Sequence, residues 1–327
     1  MKKVLITGAT GFLGKYIVEE FSRHGYSVIA NGRNKQNLGK LVAKNVSTIA
    51  CSLEDLASLN YRVNIVIHAA ALSTIWGLWS DFYENNVVGT QHVINFCIRN
   101  KIKRLVFVSS PSIYSERADR LKIKESDYDP DNNLNYYIKT KLHAEKLVRE
   151  ANSKALQTVI IRPRGLIGIG DTSIAPRLIR ANVRIGLPLF NNGHNLVDMT
   201  CVENVAYAIF LAAESQKANG QTYNITNGEP RQFRIIIEKL FSEIGQRPRY
   251  KHANIKILYL LASLIERAYK LLRIYREPPI TRYTVCTLGY SQTLDISKAE
   301  QELGYKPIIS LDDGIKKYAT AYKSAHP

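Results

Sequence analysis

The chain has 327 residues, 45% apolar and 22% charged, the composition of a globular protein long enough for one large domain or a domain with a lobe. Its four cysteines (Cys51, Cys97, Cys201 and Cys286) stand far apart with no CxxC or Cys/His cluster. That excludes a zinc site and a disulfide framework and makes a reducing cytoplasm the expected compartment. The net charge of +17 suits nucleic acid, anionic lipid or a polyanionic cofactor. No nucleic-acid-binding signature is present and the basic residues are scattered, so no nucleic-acid partner is expected.

The first element is a short apolar run, Val4-Leu5-Ile6, the signature of a strand buried on both faces. No signal peptide is expected, because this strand opens near residue 3. Gly8, Gly11 and Gly14 follow at i, i+3 and i+6, and Lys15 to Arg23 reads as a helix. A strand, a glycine turn and a helix in that order bring backbone N–H groups and a positive helix end to a pyrophosphate. Gly8 permits the tight turn, Gly11 the approach of phosphate and Gly14 the packing of helix on strand.

A second strand, Ser27 to Ala30, ends at Asn31-Gly32-Arg33-Asn34-Lys35. An acid there would bind a ribose 2′-hydroxyl, whereas Arg33 and Lys35 suit a 2′-phosphate and favour NADP over NAD. A solvated basic loop is the other reading. Strands are predicted over 46–50 and 64–68, the latter running into Ala69-Ala70-Ala71, small residues that leave room for a ligand. Asn85 to Arg99 is predicted helical, with Val88, His92 and Phe96 on one stripe. A strand over 105–108 ends at Ser109-Ser110, followed by a helix over 134–151 and a strand over 158–161. This alternation predicts an α/β, Rossmann-like doubly wound parallel sheet. Beyond Arg162-Pro163 glycines and prolines loosen the pattern, and a helix over 202–214 and a strand over 222–225 return to the sheet. The expected partition is a dinucleotide-binding domain over 1–163 joined by 195–226, and a smaller, mainly helical substrate lobe over 164–194 and 227–327.

Tyr137 and Lys141 are four residues apart on a predicted helix and share a face. A lysine ammonium beside a phenol lowers its pKa, which suits Tyr137 as a general acid or base. Ser110, just past a sheet strand, is placed to hydrogen-bond a carbonyl oxygen, and Asn86 to fix backbone or water near the cofactor.

The chain resembles the extended short-chain dehydrogenases/reductases, the NAD-dependent epimerase/dehydratase family. The resemblance rests on TGATGFLG at 7–14, HAAA at 68–71, NNVVGT at 85–90 and VSSPSIY at 108–114. It continues through YIKTK at 137–141, RPRGLIGIGD at 162–171, NLVDMTCVENVA at 195–206, YNITNGE at 223–229 and LDISKAEQELGYKP at 294–307. It implies a Ser110, Tyr137 and Lys141 catalytic triad, with Gly8, Thr10, Gly11, Phe12, Leu13 and Gly14 on the pyrophosphate. It also implies cofactor contacts from Ser52, Leu53, Ala69, Ala70, Ala71, Asn86 and Pro163, the last against the nicotinamide. Two positions depart from the family pattern. Ser52 stands where an aspartate usually meets the adenine amino group, and Ser115 replaces the glycine after the valine-tyrosine pair.

Within the family, STIWGLW at 73–79 and EPPITR at 277–282 are similar to the 3β-hydroxysteroid dehydrogenase branch, including sterol-4α-carboxylate 3-dehydrogenases and 2-alkyl-3-oxoalkanoate reductases. The resemblance implies hydride transfer at the 3-carbon of a hydrophobic 3-keto or 3-hydroxy substrate. Trp76, Trp79, Ser112, Tyr114 and Arg164 are expected at the substrate, Arg164 against a carboxylate. A nucleotide-sugar epimerase or dehydratase with bound NAD, and a non-catalytic NADP-binding regulator, are the alternatives; a homodimer is compatible with each.

Residues 255–275 read as a helix with Leu258, Leu261, Ile265, Ala268 and Leu272 on one stripe, interrupted by Lys256, Glu266, Arg267, Lys270 and Arg273. It is too charged to span a bilayer. It fits peripheral membrane contact, a lid over the substrate, or a helix packed on the core.

Overall fold

A computed structural model describes residues 1–41 and 43–326. Pro327, the end of the predicted 227–327 lobe, lies outside them. Seven strands form one parallel sheet: β1 (Lys3–Thr7), β2 (Ser27–Gly32), β3 (Val46–Ala50), β4 (Ile65–His68), β5 (Arg104–Val108), β6 (Gln157–Pro163) and β7 (Thr222–Ile225). Their order across the sheet is β7-β6-β5-β4-β1-β2-β3. The order reverses between β1 and β4, and open α/β sheets bind ligands in the crevice at such a switch point.

Period-two alternation sorts the strand residues onto two faces. Val4, Ile6, Val28, Ile67 and Val159 pack under α1 (Phe12–Arg23) and, further along, the later helix at Val202–Glu214. Leu5, Val66, Leu105 and Phe107 pack on the other face, under α2 (Leu53–Ser58), α3 (Gly89–Arg99) and α4 (Tyr136–Glu150). Helix Val202–Glu214, α5, has the bounds expected for it.

Two expectations shift. Helix α1 begins at Phe12 rather than Lys15, with Gly11 as its N-cap. The helix predicted over 85–99 opens inside a π-helical turn, Tyr83–Val88, which changes the angular advance per residue, and is α-helical only from Gly89. The buried face is therefore Val87, Thr90, Val93, Ile94 and Cys97 with Phe96, while Val88 and His92 are half-buried.

After β6 the chain forms short strands and helices. Two of these strands, Arg231–Gln232 and Gln292–Leu294, lie in the stretch from about 229 expected to be mainly helical, and they join Leu196–Val197 and the earlier Arg120–Ile123 in a small mixed sheet. Strands of two to four residues are too short to show a period. Helix α6 (Phe233–Glu243) and α9 (Leu311–Ala325), with α7 (Ile255–Leu271) and α8 (Arg282–Gly289) between them in sequence, complete the chain. Helices α6 and α9 share one apolar cluster through Ile237, Phe241, Leu311 and Ile315. Among the described residues no helix is long and apolar enough to cross a membrane.

Candidate active site

The glycine turn after β1 is built for close approach. Gly8 has φ +70°, and a Cβ there would lie 2.6 Å from the backbone nitrogen of Ala70, just after β4. A Cβ on Gly14 would lie 2.1 Å from the Gly8 carbonyl oxygen, so only glycine lets α1 pack on this turn. Gly11 caps α1 without a side-chain acceptor, and the first turn holds no acid. The first N–H groups of the helix, those of Phe12 and Leu13 among them, have no intrahelical acceptor. This cradle fits the pyrophosphate of a dinucleotide. Thr10 rests its side chain against Gly32, and the Phe12 ring borders the Gly168–Gly170 turn.

Arg33 and Lys35 are exposed just past β2, and neither forms an ion pair among the described residues. Asn31, the last polar residue before them, turns its side-chain amide to the Cys51 carbonyl oxygen. Ser52 is occupied locally: its Oγ donates to Asp55 Oδ2 (2.7 Å) and accepts from the Asp55 N–H, capping α2. The Ser52 N–H also donates to Asp55 Oδ2 (3.3 Å), which closes a capping box at the head of α2. Ala69 and Ala70 are half-buried, Ala71 is exposed, and Pro163 ends β6 buried against Ile225.

Ser110, Tyr137 and Lys141 come together at the C-terminal edge of the sheet. Ser110 Oγ donates to Ser112 Oγ (3.0 Å), and its hydroxyl stands near enough to the Tyr137 phenol to lower the pKa of that group. Lys141, one turn along α4 from Tyr137, is buried and donates to the Val108 carbonyl oxygen (2.8 Å), 4.0 Å above the Phe107 ring. The expected electrostatics are corrected here. Burial pushes the Tyr137 phenol up to about 12 against the lowering by Ser110, with Tyr283 adding to the rise. Burial pulls Lys141 down to about 7, opposed by Glu145. Desolvation outweighs the attraction expected from a tyrosine-lysine pair.

Beneath the site lies a buried ion pair. Arg162 donates through Nε to Glu145 Oε1 (2.8 Å) and through Nη2 to Oε2 (2.6 Å), both side chains being inaccessible. Ser109 Oγ adds a donor to Glu145 Oε1 (2.5 Å). Burial opposes the Glu145 charge, yet the Arg162 hydrogen bonds and charge hold the carboxyl below its usual range. Glu145 lies four residues after Lys141, so Tyr137, Lys141 and Glu145 repeat at one helical spacing. That repeat was the available signal, and it was missed.

Asn86, inside the π-helical turn, accepts from the Leu72 N–H (2.7 Å) and donates to the Leu72 carbonyl oxygen (3.1 Å) and Thr140 Oγ1 (3.1 Å). It ties the loop after β4 to α4. His68 sits behind it, with Nδ1 2.8 Å from Thr7 Oγ1 and Nε2 3.1 Å from Thr90 Oγ1. Thr90 Oγ1 donates to the Asn86 carbonyl oxygen, so it accepts from His68 Nε2–H, and Nδ1 accepts from Thr7. Burial, then the charge of Lys141, lowers His68 to about 3 and keeps the ring neutral.

The expected substrate residues divide. Ser112 stands in the site, 2.7 Å from the Tyr283 hydroxyl, and Trp76 lies across the loop after β4 against Tyr269. Arg164 is buried, and its Nε has no hydrogen-bond partner. Burial lowers its pKa, while Asp198 and Tyr283 oppose that fall. Tyr114 does not line a cleft: it is 1% exposed, and its hydroxyl donates to Asn224 Oδ1 and accepts from Arg162. The apolar packing of Ile113, Ile138 and Leu142 encloses its ring. Trp79 is also misplaced by the sequence reading. It packs on Tyr136 and His143, over 100° around α4 from Lys141, on the outer face of the helix. Tyr283 was not foreseen: it directly follows EPPITR at 277–282, but it is one of 19 tyrosines and nothing in the sequence joins it to Ser112.

Residues 4–226 match the family model described as the NAD dependent epimerase/dehydratase family. The chain is 33% identical over 326 residues to the 2-alkyl-3-oxoalkanoate reductase of Stenotrophomonas maltophilia, across 96% of this chain and 98% of that protein. It is 31% identical over 340 residues to the sterol-4-alpha-carboxylate 3-dehydrogenase, decarboxylating, of Mus musculus, across 98% and 91%. A solved structure of the UDP-glucuronic acid 4-epimerase from Bacillus cereus, in complex with NAD, matches with a TM-score of 0.78 at 24% identity. That match covers 99% of this chain and 97% of the other, and concerns the fold.

Proposed function

The chain belongs to the NAD dependent epimerase/dehydratase family, and from that premise we propose that it is an NADP-preferring oxidoreductase acting at the 3-carbon of a hydrophobic 3-keto or 3-hydroxy substrate. The observation that carries this reading is the meeting of Tyr137, Ser110 and Lys141 at the switch point, beside a glycine cradle fit for a dinucleotide. The cradle at Gly8, Thr10, Gly11 and Gly14 holds the pyrophosphate, with Phe12 and Leu13 giving N–H donors. Ser52 and Leu53 flank the adenine, Ala69 to Ala71 and Asn86 line the crevice, and Pro163 backs the nicotinamide. When bound, the nicotinamide supplies the hydride for reduction or accepts it in oxidation.

The chain's own groups manage the proton. Tyr137, with a pKa near 12, carries its proton at neutral pH and suits the donor in ketone reduction. Ser110 hydrogen-bonds the carbonyl oxygen and fixes it beside the phenol. Lys141 holds the ribose hydroxyls and, when charged, supports the phenolate left behind. Arg33 and Lys35, unpaired past β2, support a 2′-phosphate and so a biosynthetic reductase. Arg164 pairs with a carboxylate beside the reacting carbon, which its buried and unpartnered Nε supports.

Fluorescence titration with NADPH and NADH, on wild type and Arg33→Ala, tests the cofactor assignment. Tighter NADPH binding that Arg33→Ala abolishes is expected; equal or tighter NADH binding overturns it. Oxidation of NADPH in the presence of a 2-alkyl-3-oxoalkanoate tests the reaction, with Tyr137→Phe expected to cost about 10²–10⁴-fold in rate. A near-native rate in Tyr137→Phe removes the tyrosine from this role. An unchanged KM in Arg164→Ala removes the carboxylate pairing.

A further inference from the structure

Helix α7 is apolar on two faces. Its inner face, Leu258, Tyr259 and Ala262, packs toward Phe190 and Val285, and Glu266 is buried on the same side. Its outer face repeats at i, i+3, i+4, i+7, i+11 and i+14 through Ile257, Leu260, Leu261, Leu264, Ala268 and Leu271, one stripe about 100° wide. Leu260 is 61% exposed, Leu264 51% and Leu271 84%, and the exposed patch continues through Leu272, Ile274 and Tyr275. The stripe expected from the sequence straddled these two faces: Leu258 and Ile265 are half-buried, while Leu261, Ala268 and Leu272 are exposed. An apolar stripe of this extent on a basic, water-facing helix calls for a partner.

The charges around the stripe identify the partner. Lys256, Arg267, Lys270, Arg273 and Arg276 are all exposed. Glu266, the single acid between Asn254 and Arg276, is withdrawn into an ion pair with Arg282 (2.8 Å). We infer that the outer face of α7 docks the protein on an anionic lipid surface, its leucines entering the headgroup boundary while its Lys and Arg side chains meet lipid phosphates and carboxylates. A second copy is the poorer occupant. A two-fold contact would set this row of positive charges against itself, on a chain already carrying +17.

The docked face stands beside the site. Trp76 Nε1 donates to the Ile274 carbonyl oxygen (3.2 Å), and the Lys270 amine lies 6.0 Å from the Trp76 ring and 5.2 Å from that of Tyr136. The C-terminal end of α7 thus joins the loop after β4 and the first turn of α4, next to Tyr137. Docking there would present the site to a substrate dissolved in the lipid, a consequence that rests on the function proposed above; the docking itself does not.

The test is flotation of the full chain with vesicles of phosphatidylcholine alone and of phosphatidylcholine with about one-third phosphatidylserine. Binding to the anionic vesicles at least tenfold above the neutral ones is expected, weakening as salt is raised. Leu260→Glu with Leu264→Glu should reduce it tenfold or more, with the thermal midpoint and NADPH affinity unchanged. Quenching by brominated lipid of a tryptophan placed on the stripe, Leu261→Trp, read against the wild type, checks the contact directly. Wild-type protein left unbound by anionic vesicles, or Leu261→Trp fluorescence that brominated lipid quenches no more than that of the wild type, overturns the inference. So does a sedimentation dimer that the double variant converts to monomer, which would assign the face to a second copy. Failure to bind NADPH would count against the proposed function alone, because flotation reads docking without catalysis.

Discussion

The Tyr283 hydroxyl lies 2.7 Å from Ser112 Oγ, so a side chain from α8 is joined to the centre that β5 and α4 build. Because Ser110 bonds Ser112 and lowers the pKa of the neighbouring Tyr137 phenol, the four hydroxyls line up as Tyr283–Ser112–Ser110–Tyr137. Tyr283 touches no backbone of the sheet through this contact. It reaches Tyr137 through the two serines and through the charge interaction that adds to the rise of the Tyr137 pKa.

Tyr283→Phe should therefore lower kcat/KM for ketone reduction by roughly 2- to 12-fold, the worth of one hydrogen bond of about 0.5–1.5 kcal/mol. NADPH affinity should stay unchanged. Ser112→Ala should cost a similar factor, and the double variant less than the product of the two. Full multiplicative losses in this cycle would show that the hydroxyls act independently.

The Lys141 amine, drawn down to about 7 by burial, loses its charge within the physiological range. Since kcat/KM reports the free enzyme, reduction should decline above about pH 7 as the cation disappears. Lys141→Arg, which stays charged, should move that limb upward by more than one pH unit even if its peak rate is lower. A limb that stays in place assigns the ionisation to another group.

His68 has a folded pKa of about 3 against an ordinary 6.5. Its contribution to stability is present above 6.5 and is lost as pH falls toward and through 3, because the unfolded chain binds the proton first. The slope from this one group approaches about 1.4 kcal/mol per pH unit between those limits. Urea midpoints at pH 7, 5 and 4 should converge between wild type and His68→Gln as acid is added. Parallel curves would show that His68 is not the group that senses acid.

Glu145→Ala leaves Arg162 charged and without its partner in a fully buried position. Breaking such a pair costs about 3–5 kcal/mol, so the denaturant midpoint should fall steeply. Replacing both residues, Glu145→Leu with Arg162→Met, should recover part of the loss. A midpoint shift below about 1 kcal/mol in Glu145→Ala would mean water reaches the arginine.

The seven sheet strands and the glycine turn were legible because their signals are local: β-branched apolar runs, and three glycines bracketed by strand and helix. The meeting of Ser110 with Tyr137 and Lys141 came from the family resemblance, which carried a spatial relation across the gap from 110 to 137. What stayed hidden is what the chain brings together from afar or disguises locally. Tyr283 arrives from a helix that nothing in the sequence joins to Ser112, and the π-helical turn at Tyr83–Val88 leaves no residue pattern. Tyr114 and Trp79 read as pocket aromatics, yet one fills the core and the other covers the outside of α4, since ring content alone does not say which side a residue faces. The two faces of α7 blurred into one stripe because leucines occupy both.

The pairing of β7 with β6 bears on how the protein is made. Strand β6 ends at Pro163, and its neighbour begins only at Thr222, 59 residues further along the nascent chain. At a translation speed of about 5–20 residues per second, the ribosome needs roughly 3–12 s to produce the missing neighbour. Throughout that interval Ile160 and Ile161 stand on an unpaired edge, the kind that recruits other chains. Translation arrested before Thr222 would release a polypeptide whose sheet lacks its last strand, and such products should collect with holdase chaperones or in inclusion bodies.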